Sequence, residues 1–399
     1  MITKELMQAG NRFKRSKIWK YFRDNELFAM DLPSDQRGYF CIMGFEGKHT
    51  ALGVYLGEEG LASYMRILCN SVENKTTGLE PYGQLCLQCS CISPDYLTDE
   101  MLQDHMDYRR SLGLDPNLNG YDEVISFESF RPFCPTVPVN QEEHDDLIAA
   151  LNLVDYIAKA LSQYNYSPYA KSLIGFTCES AYSARKIPLF KKKGKKYTME
   201  MIPLRQDYPN IVPTPELPKQ HFIDYFASLP ADPDYDMNVS LHLWRKPMFN
   251  EEFVRYYPLT IFIEWRNTKK IEFFSVDGPD PQCWSRLLKS FLYLIREHKP
   301  RHVYAMDNLT YRYLKEACGK IGIELSIDHN MRNLKKKIEY YDNSNEPMAD
   351  PEFVYSVKSI RNMSDEELAS LPSETILFLN NYYDLFPEDI KKRIKKFIS

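Results

Sequence analysis

Short apolar runs of strand length, interleaved with amphipathic helical segments in an order that occurs twice, constrain this chain more than any other feature of its sequence. In the first half, β-type runs at 26–32, 38–44 and 49–56 are separated by Pro33, Ser34 and Asp35 and by Glu46, Gly47 and Lys48, which is hairpin turn chemistry. A helix is predicted from 58 to 71, with Glu58 and Glu59 in its first turn, where acids suit the helix dipole. Then follow a strand (84–92), a helix (94–112), a strand (123–130) and a long helix (141–164), after an opening helix at 11–24. The order β-β-β-α-β-α-β-α returns in the second half. Its strands are predicted at 239–244, 259–265, 270–276, 302–306 and 324–327, and its helices at 281–298, 309–321 and 331–341.

These patterns give an α/β (α+β) chain of two tandem modules, 1–164 and 238–343. Residues 165–237 carry Pro203, Pro209, Pro213, Pro215, Pro218, Pro230 and Pro233, a density of fixed φ and missing donors that predicts an extended connector. Inside it, 186–190 and 196–202 flank Lys191, Lys192, Lys193, Gly194 and Lys195, a hairpin with a basic tip. Residues 344–399 read as a helical tail, with Ser364 and Glu367 spaced as a capping box. Identity between the halves is slight, so the expected duplication rests on element order, with Gly57 and Gly278 at equivalent strand-to-helix corners.

Composition narrows the class. With 399 residues, 44% hydrophobic and 14% aromatic, the chain can build real cores, and disordered, collagen-like and disulfide-scaffold classes are excluded. A net charge of −5 supplies no chain-wide field for nucleic acid or anionic lipid. The longest apolar runs are strand-sized, and no apolar segment follows the basic N-terminal residues, so membrane and secretion readings fail. Nine scattered cysteines without a secretory signal read as reduced thiols, which places the expected protein in the cytoplasm.

The segment 38–60, GYFCIMGFEGKHTALGVYLGEEG, resembles the core motif of an uncharacterised bacterial family of domains of unknown function, and the preceding LFAMDLP at 27–33 fits the same pattern. KPRHVYAMDNLTYRYLKEACGKIGIEL, at 299–325, resembles a second such domain that often follows the first. The resemblance implies a two-module protein and brings no activity, cofactor or catalytic residue with it.

Individual motifs point to few chemistries. Cys86, Cys89 and Cys91 have a metal-like spacing, yet on one strand Leu85, Leu87, Cys89 and Cys91 alternate onto one face while Cys86, Gln88 and Ser90 share the other, so they cannot close a tetrahedron alone. The glycines of 44–60 lack both the Walker spacing and G-x-G-x-x-G, and Glu58 and Glu59 would repel a phosphate. His49 and His242 have no acid or nucleophile in sequence reach, and no G-x-S-x-G elbow occurs. Basic clusters at 191–196, 332–337 and 391–396 are short and without interleaved aromatics; they read as solvated faces, with local nucleic-acid contact at 191–196 or 391–396 left open.

The sharpest acidic pattern is Asp277, Asp307 and Asp328, each just past a predicted strand, where α/β sheets collect ligands and carboxylates could hold Mg²⁺. The element order resembles the ribonuclease H-like fold, whose strand order 3-2-1-4-5 would make Asp307 and Asp328 neighbours and set Asp277 some 14 Å away. Active members of that fold also place an acid on the first strand, and 239–244 offers none. Glu264 or Asp280 could complete the set. The expectation is therefore a non-catalytic or degenerate cytosolic binding or regulatory module without a cofactor. Its alternatives are a metal-dependent enzyme on nucleic acid or phosphoester using Asp307, Asp328 and Mg²⁺, and a small-molecule sensor with its ligand between the modules.

Overall fold

The computed structural model describes residues 2–47, 49–72, 78–97, 99–116, 123–167, 169–176, 179–194, 196–205, 215–244, 246–249, 255–277 and 282–343, with 363, 364, 368, 392, 393, 395 and 396 of the tail. The Ser364–Glu367 capping box, Gly278 and Asp280 thus fall wholly or partly outside the described residues. The chain is mixed α/β and divides into two compact units, 1–213 with 247–257, and 214–246 with 258–399. Among the described residues, no helix is long and apolar enough to cross a membrane.

The first unit opens with α1 (Lys4–Ser16), earlier than the sequence suggests, because Thr3 caps it by accepting from Leu6 N and Lys17 ends it in a left-handed conformation. Then come β1 (Leu27–Asp31), β2 (Arg37–Met43), β3 (Thr50–Leu56), α2 (Gly57–Val72), β4 (Cys86–Ile92), α3 (Asp99–Ser111), β5 (Val124–Phe130), β6 (Val137–Pro138), α4 (Gln141–Ser162), α5 (Ala170–Leu173), β7 (Lys186–Lys193) and β8 (Lys196–Pro203). They form one sheet of order β6-β5-β4-β3-β2-β1-β7-β8. Every pair from β1 to β6 is antiparallel, and β7 joins β1 in parallel with Ala29 opposite Leu189. One face buries Phe28, Phe40, Leu52, Leu87, Cys89, Ile125 and Phe127 in a core with residues of α1 and α4. The other buries Leu27, Tyr39, Cys41, Tyr55, Cys86 and Leu189 with Leu61, Tyr64 and Met65 of α2.

In the second unit, α6 (Gln220–Ser228) and β9 (Ala231–Asp232) precede β10 (Met237–Leu243). A small hairpin, β11 (Met248–Phe249) and β12 (Arg255–Tyr256), belongs to the first unit. The second unit continues with β13 (Pro258–Trp265), β14 (Ile271–Asp277), α7 (Cys283–Leu294), β15 (Lys299–Pro300), β16 (His302–Ala305), α8 (Asn308–Ile321), β17 (Glu324–Ile327) and α9 (Arg332–Asn343). Its main sheet has the order β14-β13-β10-β16-β17, antiparallel on one side of β10 and parallel on the other. Counting its strands in chain order, this is 3-2-1-4-5.

Both halves therefore contain β-β-β-α-β-α-β-α, but the expected duplication fails at pairing. In the first unit the fourth strand lies beside the third and runs antiparallel to it, and the fifth lies beside the fourth. The physical reason is connector length. After α8, two residues (322–323) precede β17, so the chain re-enters the sheet at the end where α8 left it and runs parallel. After α2, 13 residues (73–85) precede β4, and after α3, 12 residues (112–123) precede β5. A dozen residues can span roughly 40 Å, more than the height of a seven-residue strand, so the chain can cross the sheet before the next strand begins.

The stretch 165–237 is also not a separate connector: β7 and β8 extend the first sheet, whereas α6 and β9 belong to the second unit. Apart from Pro188, the prolines from β7 onward begin at Pro203, the last residue of β8 to pair.

Candidate functional site

Alternation on β3, β4 and β5 sets the chemistry of the first sheet's second face. Leu52 and Val54, Leu87 and Cys89, and Ile125 and Phe127 point into the core shared with α1 and α4. The residues between them point the other way, and the antiparallel register aligns them in rows: Gly53, Gln88 and Glu128 in one, Ala51, Ser90 and Ser126 in the next. Below them the row Tyr55, Cys86, Phe130 is apolar. A polar patch is thus built into an otherwise apolar sheet, with exposed His49 just before β3 at its upper edge.

Within the patch, Gln88 Nε2 donates to Ser90 Oγ at 2.6 Å, and His49 Nε2 lies 3.5 Å from the Gln88 amide nitrogen. Ser126 Oγ is buried and has no hydrogen-bond partner among the described residues. Glu128 is half-buried, and burial alone pushes its carboxyl above the ordinary range. None of the hydrogen bonds or ion pairs among the described residues reaches its carboxylate. Cys86 follows in the next row, and its thiol is pushed up by burial and then by the Glu128 charge. Gly53 puts no side chain into its row: a Cβ there would sit 3.3 Å from the Tyr55 ring and 3.5 Å from Met43 Cε. His49 meets an amide rather than a hydroxyl or carboxylate, so no nucleophile–base pair is assembled. The chemistry on offer is hydrogen bonding, from one carboxylate, one amide and two hydroxyls.

Of the acids expected from the sequence, Asp307 and Asp328 sit in the second unit and are already engaged. Asp307 and Asp328 follow the neighbouring strands β16 and β17. Asp307 is the N-cap of α8, accepting from Thr310 N at 2.7 Å. Asp328 accepts from Arg266 Nη2 at 2.8 Å and from Asn330 N at 2.9 Å. Arg266 also donates from Nε to Asn238 Oδ1 at 2.9 Å, and its guanidinium lies 3.7 Å from the centre of the Tyr304 ring. Asn238 in turn donates to Glu264, which is 2% exposed and also receives Asn333. Glu264 is therefore held inside a network of amides and does not complete an acid set with Asp307. Asp277 ends β14, at the far edge of the sheet from β17.

His242, without an acid nearby in sequence, finds one in the fold: both carboxylate oxygens of Asp342 on α9 lie 3.1 Å from its Nε2. Cys86 faces away from Cys89 and Cys91, as alternation requires, and no three His, Cys, Asp or Glu side chains converge as a metal site among the described residues. In the first basic run Lys191 pairs with Glu200 at 2.6 Å, and in the second Lys337 lies over the Tyr341 ring at 4.7 Å; the 391–396 run falls partly outside the described residues.

Gln88 and Ser90 share a face by alternation that is visible in the sequence. Ser126 and Glu128 join them because β5 runs antiparallel beside β4; the expected order 3-2-1-4-5 also sets these two strands side by side, but parallel and with β1 rather than β3 on the other side of β4.

All five polar residues of the patch, His49, Gln88, Ser90, Ser126 and Glu128, fall in the stretch that matches a family model. Residues 4–172 match a family model described as Domain of unknown function (DUF7309). That match covers β1 through α4, including the 38–60 motif and the whole polar patch. No curated protein matches the chain. Among solved structures, a chain in the cryo-EM structure of the simian T-cell lymphotropic virus intasome in complex with PP2A regulatory subunit B56 gamma is similar over 32% of this chain, at 12% identity and a TM-score of 0.22. The chain spans about half of that structure's chain, 48%, and a likeness this loose carries no argument.

Proposed function

We propose that this is a non-catalytic binding module whose ligand site is the polar patch of the first sheet, and that it works in the cytoplasm without a cofactor. The observation that carries the reading is Glu128, a half-buried carboxylate that the described residues leave without a hydrogen-bond donor, beside a buried Ser126 Oγ that also lacks a partner. Unsatisfied buried polar groups cost free energy, and a ligand bringing donors would recover it. The carboxylate selects a cationic donor, an amine or guanidinium, and the Gln88 and Ser90 side chains would orient it. The free thiols, mostly buried, fit a reducing compartment.

The strand order 3-2-1-4-5 supports reading the second unit as ribonuclease H-like in shape. The pairing of Asp328 with Arg266 argues against metal-dependent chemistry there, because the guanidinium already neutralises one of the two acids such a site would need. A thermal-shift panel of agmatine, putrescine and arginine amide tests the ligand class. At least one of these cations should raise the midpoint of the wild type and leave Glu128→Gln unmoved; equal shifts in both proteins, or none, refute the reading. A phosphodiesterase assay with Mn²⁺ should show no turnover, and cleavage abolished by Asp307→Asn would replace this reading with a metal enzyme.

A further inference from the structure

The two ends of the first sheet are finished differently. At one end β6 is only two residues long and contains Pro138, which blunts the edge. At the other end β8 runs for eight residues, Lys196–Pro203, and pairs with no strand on its outer side among the described residues. Residues 196, 198, 200, 201 and 203 of that strand are exposed, with Met201 at 42%. A long unblunted edge of this kind presents free backbone donors and acceptors to another strand.

The register of β7 with β8 fixes which residues those are. Lys193 stands opposite Lys196 across a two-residue turn, and in such a hairpin the flanking pair exchanges both hydrogen bonds. Pairing then alternates, so residues 196, 198, 200 and 202 bond inward to β7 while 197, 199 and 201 turn their N–H and C=O outward. Pro188, which has no N–H, stands opposite Met201, one of the positions that makes no bond to its partner strand. The alternation and the sequence agree.

We propose that β8 is a self-complementary dimer edge, and that a second copy of this chain pairs with it antiparallel about a two-fold axis at Thr198. An antiparallel copy must set outward residues against outward residues, so the numbers of facing residues add to an even total. Placing the axis at Glu200 would oppose two carboxylates. Placing it at Met199 would set Lys196 against Ile202. Placing it at Thr198 sets Lys196 of each copy against Glu200 of the other, and Tyr197 against Met199, which then exchange backbone hydrogen bonds. Lys196 and Glu200 lie on the same face and make close, non-hydrogen-bonded pairs, where opposite charges contribute most. Glu200, which Lys191 of its own chain already meets at 2.6 Å, would take Lys196 of the other copy as a second ammonium; this complementarity selects both the partner and the register, and the two eight-stranded sheets become one.

The test uses the full chain. Sedimentation equilibrium should find a dimer of twice 46.9 kDa. Thr198→Cys should become a covalent dimer under mild oxidation, because facing residues in a non-hydrogen-bonded pair sit about 4.5 Å apart at Cα, within disulfide range. Glu200→Cys should not, and the wild type controls for half-buried Cys69 and Cys134. Lys196→Glu should weaken the dimer by about tenfold, and adding Glu200→Lys should restore it. A monomer at the highest soluble concentration overturns the proposal. So does a dimer in which Glu200→Cys cross-links and Thr198→Cys does not, or one that Lys196→Glu leaves unchanged, since either places the contact elsewhere.

Discussion

The first and second sheets are made from the same sequence of elements and differ in how those elements are joined. In the second, helix-to-strand connectors of seven residues (295–301) and two residues (322–323) return the chain at once, and β16 and β17 run parallel to β10. In the first, the connectors have 13 and 12 residues, enough to cross the sheet, and β4 and β5 continue an antiparallel meander. The lesson is that element order alone leaves topology open, while the length between a helix and the next strand decides it. The difference also decides where chemistry falls. Parallel wiring sets Asp307 and Asp328 after adjacent strands, and antiparallel wiring lays Gln88, Ser90, Ser126 and Glu128 side by side on one face.

The largest expected effect separates the two units. Glu26, 7% exposed, receives both its ion-pair contacts from Lys171 Nζ, at 2.7 and 2.8 Å. Lys171→Met should destabilise the first unit by about 3 kcal/mol, because it leaves a buried carboxylate without a cation and with the Arg23 backbone N–H, at 2.9 Å, as its remaining donor. Hydrogen exchange should then speed up in β1 and β7 and stay unchanged in β10 and β13; equal loss in both sheets would show that the two units unfold as one.

Next in size is Gly60→Ala. Gly60 lies where α2 crosses β3 and the end of the 73–85 connector, and a Cβ there would sit 2.7 Å from Leu85 O and from Tyr55 C. Backbone cannot yield as a flexible side chain does, so a loss of about 2 kcal/mol in denaturant midpoint is expected. A neutral result would mean that the connector does not return against α2 in this way.

Arg266→Met probes the other sheet. It removes the donors to Asp328 and Asn238 and the stacking on Tyr304, and a loss of about 1 kcal/mol is expected, since the side chain is partly exposed. An unchanged stability would show that the amide network around Glu264 stands without it.

The smallest effect is a pH dependence confined to the first unit. Burial raises the folded-state pKa of Glu128, so its contribution to stability is fully present below the ordinary carboxyl range and is lost as pH rises through the folded value. Glu128→Gln should flatten that decline, making the variant relatively more stable at neutral pH than at acid pH. A parallel pH profile for both proteins would contradict the burial.

Much of the fold was legible in residue order. The strand positions, the 186–202 hairpin and the opposed faces of Cys86 and Cys89 all follow from period-two alternation and turn residues. Pairing across the first sheet was not, because hydrophobic alternation tells which face a residue takes and not which strand lies beside it. The same gap hid the site: the expected order sets the fifth strand beside the fourth, but only the antiparallel register places Ser126 opposite Ser90 and Glu128 opposite Gln88. His242 illustrates the point at longer range, since its acid partner Asp342 is 100 residues away on α9. The acids at strand exits were visible, but their occupation was not, because Arg266 reaches Asp328 only through the fold.

Ligand binding belongs either to the polar patch of the first sheet or to the acids of the second unit. Calorimetric titration of agmatine and, separately, of Mn²⁺ into the wild type, Glu128→Gln and Asp307→Asn compares the two directly. Saturable heat with agmatine that disappears in Glu128→Gln, persists in Asp307→Asn and has no Mn²⁺ counterpart is the predicted result. Stoichiometric Mn²⁺ binding that Asp307→Asn abolishes, with agmatine inert toward the wild type, would contradict it.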